Sequence, residues 1–517
     1  NRLAGTSATA FLCAVLCVYP LYIDKFSNLG VTKFIACFTL FLLFLLWLVA
    51  CTAIGARAPR PRNANAGRDV TLWGVLAFAG TSLISTFTSL SPTASTWGLG
   101  GYYGGLMLVL FTAAGYWAVR SYLDLENLDF VFWVLGITTS IVAVLYVLNI
   151  FNIDLIGAYA DTAVVERAQF FSTLGQKDFN GCFFSVALPI VFYQFLNAKD
   201  TRTAVWTGVP AAFGALALAV VDSEALALGI GAAVMVLVCH KNFTTRHLRR
   251  AALISAAFFG WAAWMHYMRA SVYTQGGTAL LAKLGAWQVA LPCMAASLLL
   301  WLVLFVLARK GIAAQAPLYL PGRVITIAVL AVGALAFVLA NAMPNLPLPE
   351  SLHNLLVFND DWGTYRGVAW RAAFGTWADG SLLRKIVGIG PGMMHTAVAA
   401  WAGDAMTARM ATFYAAHNEY LEQLLTTGIL GLAAWLLLVA AHLRRGERSW
   451  NTRRGPSHAG AVQLSGTGGG IHPGIHGVSA GYAAVRCTGG PDGPGAAAAR
   501  RPRAPRQKAA KAGTAAA

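Results

Sequence analysis

The chain has 517 residues, 57% of them hydrophobic and only 11% charged, with a mean hydropathy of +0.60. A soluble domain carries about 25% charged residues, so the composition excludes an ordinary cytosolic enzyme and indicates an integral membrane protein. The net charge of +17 is no nucleic-acid signature: from Leu443 onward twelve Lys and Arg stand against two acids, and the remaining +7 is what loops beside an anionic cytoplasmic leaflet carry.

A helical span needs about 20 apolar residues. Once short or glycine-rich runs are admitted, twelve segments qualify: 3–23, 31–54, 70–89, 105–119, 130–150, 181–196, 204–221, 225–239, 251–268, 284–308, 324–340 and 421–441. The expected fold is therefore all-α and polytopic. The first residue is Asn1, as in an incomplete or processed N-terminus, and no cleavable signal peptide is expected ahead of the first span. With the N-terminus inside, the dense basic clusters (Arg57 to Arg68; Arg120; Lys199 and Arg202; Lys241 to Arg250; Arg309, Lys310 and Arg323) all fall on the cytoplasmic side. The short outer loops receive only Lys25, Lys33, Arg167, Lys177, Arg269 and Lys283.

Between the last two spans lies a large outer loop, 341–420, far longer than a connection requires. Loops of that size carry function, and this one is expected to hold short amphipathic helices. Segment 1–445 is thus expected to form the membrane domain. After Arg445 hydropathy vanishes, and 446–517 is expected to be a disordered, basic tail rich in Gly, Ala and Pro. A reading-frame slip and a polybasic lipid-binding tail are the alternatives.

Seven of the eight cysteines lie within or beside apolar runs and Cys487 is in the tail, so neither a disulfide framework nor a zinc spacing emerges. There is no Walker loop. Gly388, Gly390 and Gly392 in RKIVGIGPGMM lack the following helix and acid of a dinucleotide site, and suit a tight turn with close backbone approach. The spacings of His353, His395 and His417 match no ligand motif, so neither a metal nor a cofactor is expected.

TYRGVAWRAAFGTWADG has the pattern of an amphipathic helix with an apolar stripe of Trp370, Phe374 and Trp377. Arg366 falls on that stripe. It either snorkels at the interface beside belt tryptophans or presents its fork to phosphate oxygens. Arg371, five residues on, points about 140° away round the helix. HNEYLEQLLTTGILGL then runs from His417 into the last span; His417 is either a hydrogen-bonded structural residue or a base, and Glu422 lies within the apolar run, where a carboxylate is costly.

HNEYLEQLLTTGILGL, preceded by YRGVAWRAAF and IVGIGPGMM, resembles the signature of the O-antigen ligase and O-antigen polymerase family of polytopic membrane glycosyltransferases. STLGQKDFNGCFFSVALP resembles the family's Gly-and-Asn segment, with Gly175 and Asn180 aligned and Gln176 in place of the usual Asn. The chain departs from the family at GYYGGL, where an Arg is common, and at Glu224, where an Arg often follows the Ser.

The resemblance implies transfer or polymerisation of a glycan, from an undecaprenyl-diphosphate-linked donor to an acceptor hydroxyl at the outer face of the cytoplasmic membrane. Its expected partners are the lipid-linked oligosaccharide, a glycan, lipid or protein acceptor, and membrane lipids, with no nucleic acid. Expected catalytic residues are His417 as base and Arg366 against the diphosphate; Arg371, Tyr365, Asn418, Glu419, Gly390 and Asn180 are expected to bind substrate. The rivals are a peptidoglycan-type glycosyltransferase, which would depend on Asp360 or Asp361, and a transporter.

Overall fold

The computed structural model describes residues 2–53, 69–99, 103–123, 127–272, 274–275, 281–312, 315–343, 347–407 and 414–451. Among them the fold is all-α. The first half holds α1 (Arg2–Leu21), α2 (Leu29–Ala53), α3 (Val70–Phe87), α4 (Pro92–Trp97), α5 (Leu106–Tyr122) and α6 (Leu128–Ile150). A two-stranded antiparallel hairpin, β1 (Phe170–Phe171) and β2 (Gly175–Gln176), leads into α7 (Lys177–Asn197). Then follow α8 (Thr201–Val220), α9 (Glu224–Cys239), α10 (Thr245–Ser271), α11 (Trp287–Arg309) and α12 (Tyr319–Ala342). The large loop carries α13 (Glu350–Leu356), α14 (Trp362–Ala378), α15 (Leu382–Val387) and α16 (Met394–Thr407), and the described chain ends with α17 (Glu419–Thr426) and α18 (Gly428–Asn451).

Among the described residues each of the twelve apolar segments falls mainly on helix, and eight helices, α2, α3, α6, α7, α8, α11, α12 and α18, are long and apolar enough to cross a membrane. The chain is thus a multi-pass helical membrane protein by length and composition. Apolar character on every side marks α7 as the central helix: 83% of its apolar window is buried, against 6% for α11 and for α12. The main core gathers Phe132, Leu135, Tyr146, Phe184, Leu188 and Leu226 from α6, α7 and α9. The outward faces of α11 and α12 match lipid tails rather than protein.

The helix ends are tied in two sets. Asp69 caps α3, accepting from Thr71 N at 3.1 Å, while its second oxygen receives Arg120 Nε of α5 at 2.8 Å and its first receives Arg445 Nη1 of α18 at 3.0 Å. Arg250 donates to the carbonyls of Phe195 and Leu196 at the end of α7, both at 3.0 Å, and Arg323 donates to Cys239 O at 3.0 Å. The other set joins Lys25 to Asp161 at 2.9 Å, Lys177 to Asp222 at 3.0 Å and Gln275 N to Ile150 O at 2.7 Å.

Three features refine the expected elements. The last of the twelve segments is not one continuous span: α17 ends at Thr426, Gly428 takes φ +70°, and α18 starts there as a separate helix, so Glu422 belongs to the short helix before the span. A Cβ at Gly428 would overlap Ile386 O, and one at Gly388 (φ +82°) would overlap Thr426 O, so the two glycines let the chains cross at this break. Second, the buried face of α14 lies beside its tryptophan stripe, with Trp370 and Trp377 half-buried and Trp377 packed against the edge of that face. Val368, Ala369, Ala372 and Ala373 face Met393, Met394, Ala397 and Val398, because small side chains allow α14 and α16 to approach closely, and Phe374 is exposed. Third, helix α18 continues to Asn451, past the expected boundary at Arg445; the rest of the expected tail, 452–517, lies outside the described residues.

Candidate functional site

The site is built where the large loop returns to the start of α7. Asn180 is fully buried and braces that start: its Nδ2 donates to Phe171 O, Gly175 O and Gln176 O at 3.0 to 3.1 Å, and its Oδ1 accepts from Ser172 Oγ at 2.6 Å. Those bonds hold a hairpin with Ser172 at φ +55° and Gly175 at φ +83°. Asn180 is therefore an internal brace, with its amide committed to backbone, and the residue it presents is its neighbour Asp178. One carboxylate oxygen of Asp178 accepts from Ser223 Oγ at 3.1 Å, which ties α7 to the start of α9.

Opposite stands His417. Its backbone is left-handed (φ +50°), a conformation costly for any residue but Gly, and two neighbours hold it. Asn418 caps α17, accepting from Tyr420 N at 3.1 Å and Leu421 N at 3.3 Å. Glu422, buried one turn into α17, accepts from Ala416 N at 2.8 Å. Glu419 is buried and takes Gln423 Nε2 at 2.7 Å. Asn418, Glu419 and Glu422 thus form the scaffold that presents the imidazole.

Arg366 lies on α14 at the edge of its buried face, one helical turn below Ala369 and two below Ala373. Among the described residues no ion pair holds it. Burial, and then the Arg366 guanidinium, push the His417 pKa below the ordinary imidazole value, and Asp178 acts in the opposite sense. Cys182, one turn along α7 from Asp178, lies in the field of the same two charges. A cation, a neutral imidazole and a carboxylate from three distant segments are thereby electrostatically linked.

The remaining expected residues lie elsewhere or have other work. Arg371 pairs with Asp360, on the other side of α14, and together they line a cavity of about 580 Å³ with Val368 and the 399–403 stretch of α16. Tyr365 is exposed with φ +67° in the irregular first turns of α14. Gly390 (φ +106°) is buried, its N–H bonded to Thr426 O at 2.9 Å and to Ser85 Oγ at 3.0 Å, so the glycine turn rivets α3 to the α17–α18 break. His395 stacks on Tyr414 with ring centroids 4.5 Å apart. Among the described residues no three His, Cys, Asp or Glu side chains are grouped to hold a metal ion.

Sequence reasoning missed Asp178 and the support that Glu422 gives to Ala416. The signal for Asp178 was its place in QKDFN, two residues ahead of Asn180 at the mouth of a span. No protein-family model matches the chain, and no curated protein is similar to it at a significant level. The fold and geometry define a multi-pass α-helical membrane protein with a polar constellation at one set of helix ends.

Proposed function

We propose that the chain is a membrane glycosyltransferase of the O-antigen ligase or polymerase type, using a lipid-diphosphate-linked glycan at the extracytoplasmic face. What carries this is Arg366, free of an ion pair among the described residues, acting with burial to hold the pKa of His417, just ahead of the short helix α17, below the ordinary imidazole value. In the reaction the acceptor hydroxyl attacks the anomeric carbon, the bond from that carbon to the phosphate oxygen breaks, and the lipid diphosphate leaves with the electron pair. Arg366 stabilises the charge that develops on the leaving phosphate. His417 accepts the hydroxyl proton, and its depressed pKa keeps it in the base form at neutral pH.

The orientation rests on twelve alternating spans with the N-terminus inside. Supporting it, every tie between helix ends described above joins ends that alternation puts on one side: Asp69, Arg120 and Arg445 within, Lys25 and Asp161 without. The test is incubation of the purified protein with a lipid-linked oligosaccharide and an acceptor. A ladder of products means polymerisation, a single shifted acceptor means ligation, and no glycan transfer to any acceptor defeats the proposal. The cavity beside Asp360 and Arg371 favours the peptidoglycan-type reading as the second choice; activity lost in Asp360→Asn but kept in His417→Ala selects it.

A further inference from the structure

The ends of α7 to α12 away from His417 bring nine Lys and Arg together (Lys199, Arg202, Lys241, Arg246, Arg249, Arg250, Arg309, Lys310 and Arg323) against a single described carboxylate, Asp200. Asp200 is engaged in capping α8, accepting from Thr203 N at 2.8 Å. Several of these cations have structural work. Arg246 donates to Ala198 O, Arg250 to the last carbonyls of α7, and Arg323 to Cys239 O; each meets the negative end of a helix dipole.

Arg249 and Arg309 differ. They come from two helices, α10 and α11, to the same ring: the Arg249 guanidinium lies 5.9 Å and that of Arg309 5.2 Å from the Phe305 centroid. Phe305 in turn stacks on Trp301 at 5.4 Å. Two like charges drawn to one aromatic ring without a carboxylate repel each other, and an anion relieves that repulsion. Arg309 ends α11, and Leu298, Leu302 and Val306 extend from it along one exposed helix face. Charge at the helix end above an exposed apolar track is the chemistry of a phospholipid rather than of a free anion.

We propose that Arg249 and Arg309, meeting over Phe305, bind the phosphate of an anionic phospholipid whose acyl chains lie along the exposed face of α11. The site stands at the opposite helix ends from His417 and owes nothing to the glycosyltransferase reading. The full chain in detergent is titrated with dioleoyl phosphatidylglycerol or dioleoyl phosphatidylcholine, and bound lipid is counted by native mass spectrometry. Each arginine is worth about fivefold in affinity, so Arg309→Gln weakens phosphatidylglycerol binding about fivefold and the Arg249→Gln, Arg309→Gln pair about 25-fold, with phosphatidylcholine unchanged. Equal phosphatidylglycerol binding by the wild type and both variants overturns the site. Displacement of the lipid by equimolar inorganic phosphate overturns the choice of a lipid. Arg309 is an exposed terminal residue, so the single variant carries the test even where the double variant fails to fold.

Discussion

At the scale of single residues, the imidazole of His417 ties the structure to the chemistry. Burial and Arg366 depress its pKa and Asp178 opposes them, which fixes the direction of three substitutions. The NMR signal that disappears in His417→Ala should titrate below pH 6.5, move lower still in Asp178→Asn, and rise in Arg366→Gln. In the proposed reaction the base form is the working one, so the acid limb of turnover should lie below that same pH and follow the NMR titration. A general base contributes about 10²- to 10⁴-fold, so His417→Ala lowers turnover by that factor while donor binding holds. His417→Gln can orient a hydroxyl but cannot take its proton; near-wild-type rates in that variant would remove the base assignment. Arg366→Lys keeps the charge and loses the planar fork, and a steep fall in transfer at normal expression separates phosphate recognition from snorkelling.

At the scale of elements, the crossing at Gly388 and Gly428 decides how His417 is held, because α17 hangs from it. Gly428→Ala forces a Cβ against Ile386 O in a left-handed backbone and should cost at least about 1 kcal/mol. Gly333→Ala in α12, with nothing within 4 Å of the added carbon, should be neutral or stabilising. Thermal unfolding in detergent compares the two, and equal melting temperatures would mean that the crossing is not tight. This break is also where hydropathy misleads. Leu421, Leu424 and Leu425 read as the start of a span, yet Leu425 packs against α14 and α16 in the core of the loop, and a single glycine in the left-handed region restarts the helix. The eight long apolar helices were legible, since twenty apolar residues have few other uses. The resemblance named Arg366 and His417 separately, and the electrostatic effect of one on the other comes from the folded chain. Asp178 was not legible, because its partners come from segments about 190 and 240 residues away. The buried face of α14 was not either: small alanines set the approach distance, while the large tryptophans that draw the eye in the sequence stay at the rim.

At the scale of the whole molecule, the two sets of tied helix ends turn topology into chemistry that reagents can reach. In a variant without native cysteines, a cysteine placed at exposed Leu383 reacts with an impermeant maleimide from outside, and one placed at exposed Lys310 does not. Reversed labelling moves His417 to the cytoplasm and ends the proposed reaction. Deletion of 452–517 should leave insertion and transfer intact, because that composition buries no core; loss of folded protein would show that the segment packs. Asp69→Asn strands two arginines and should cost about 3 kcal/mol or more in stability.

That last cluster also sets a schedule for biogenesis. Asp69 and Arg120 leave the ribosome early, whereas Arg445 is 376 residues downstream of its partner. At about 5–20 residues per second, the carboxylate waits on the order of tens of seconds for its second arginine, and α3 waits equally long for the helix that covers it. Until α18 arrives, Asp69 holds one arginine instead of two and the flank of α3 that α18 covers stays open. A chain that stops short of Arg445 keeps both defects, so the closing of α3 by α18 reports that synthesis has passed Arg445.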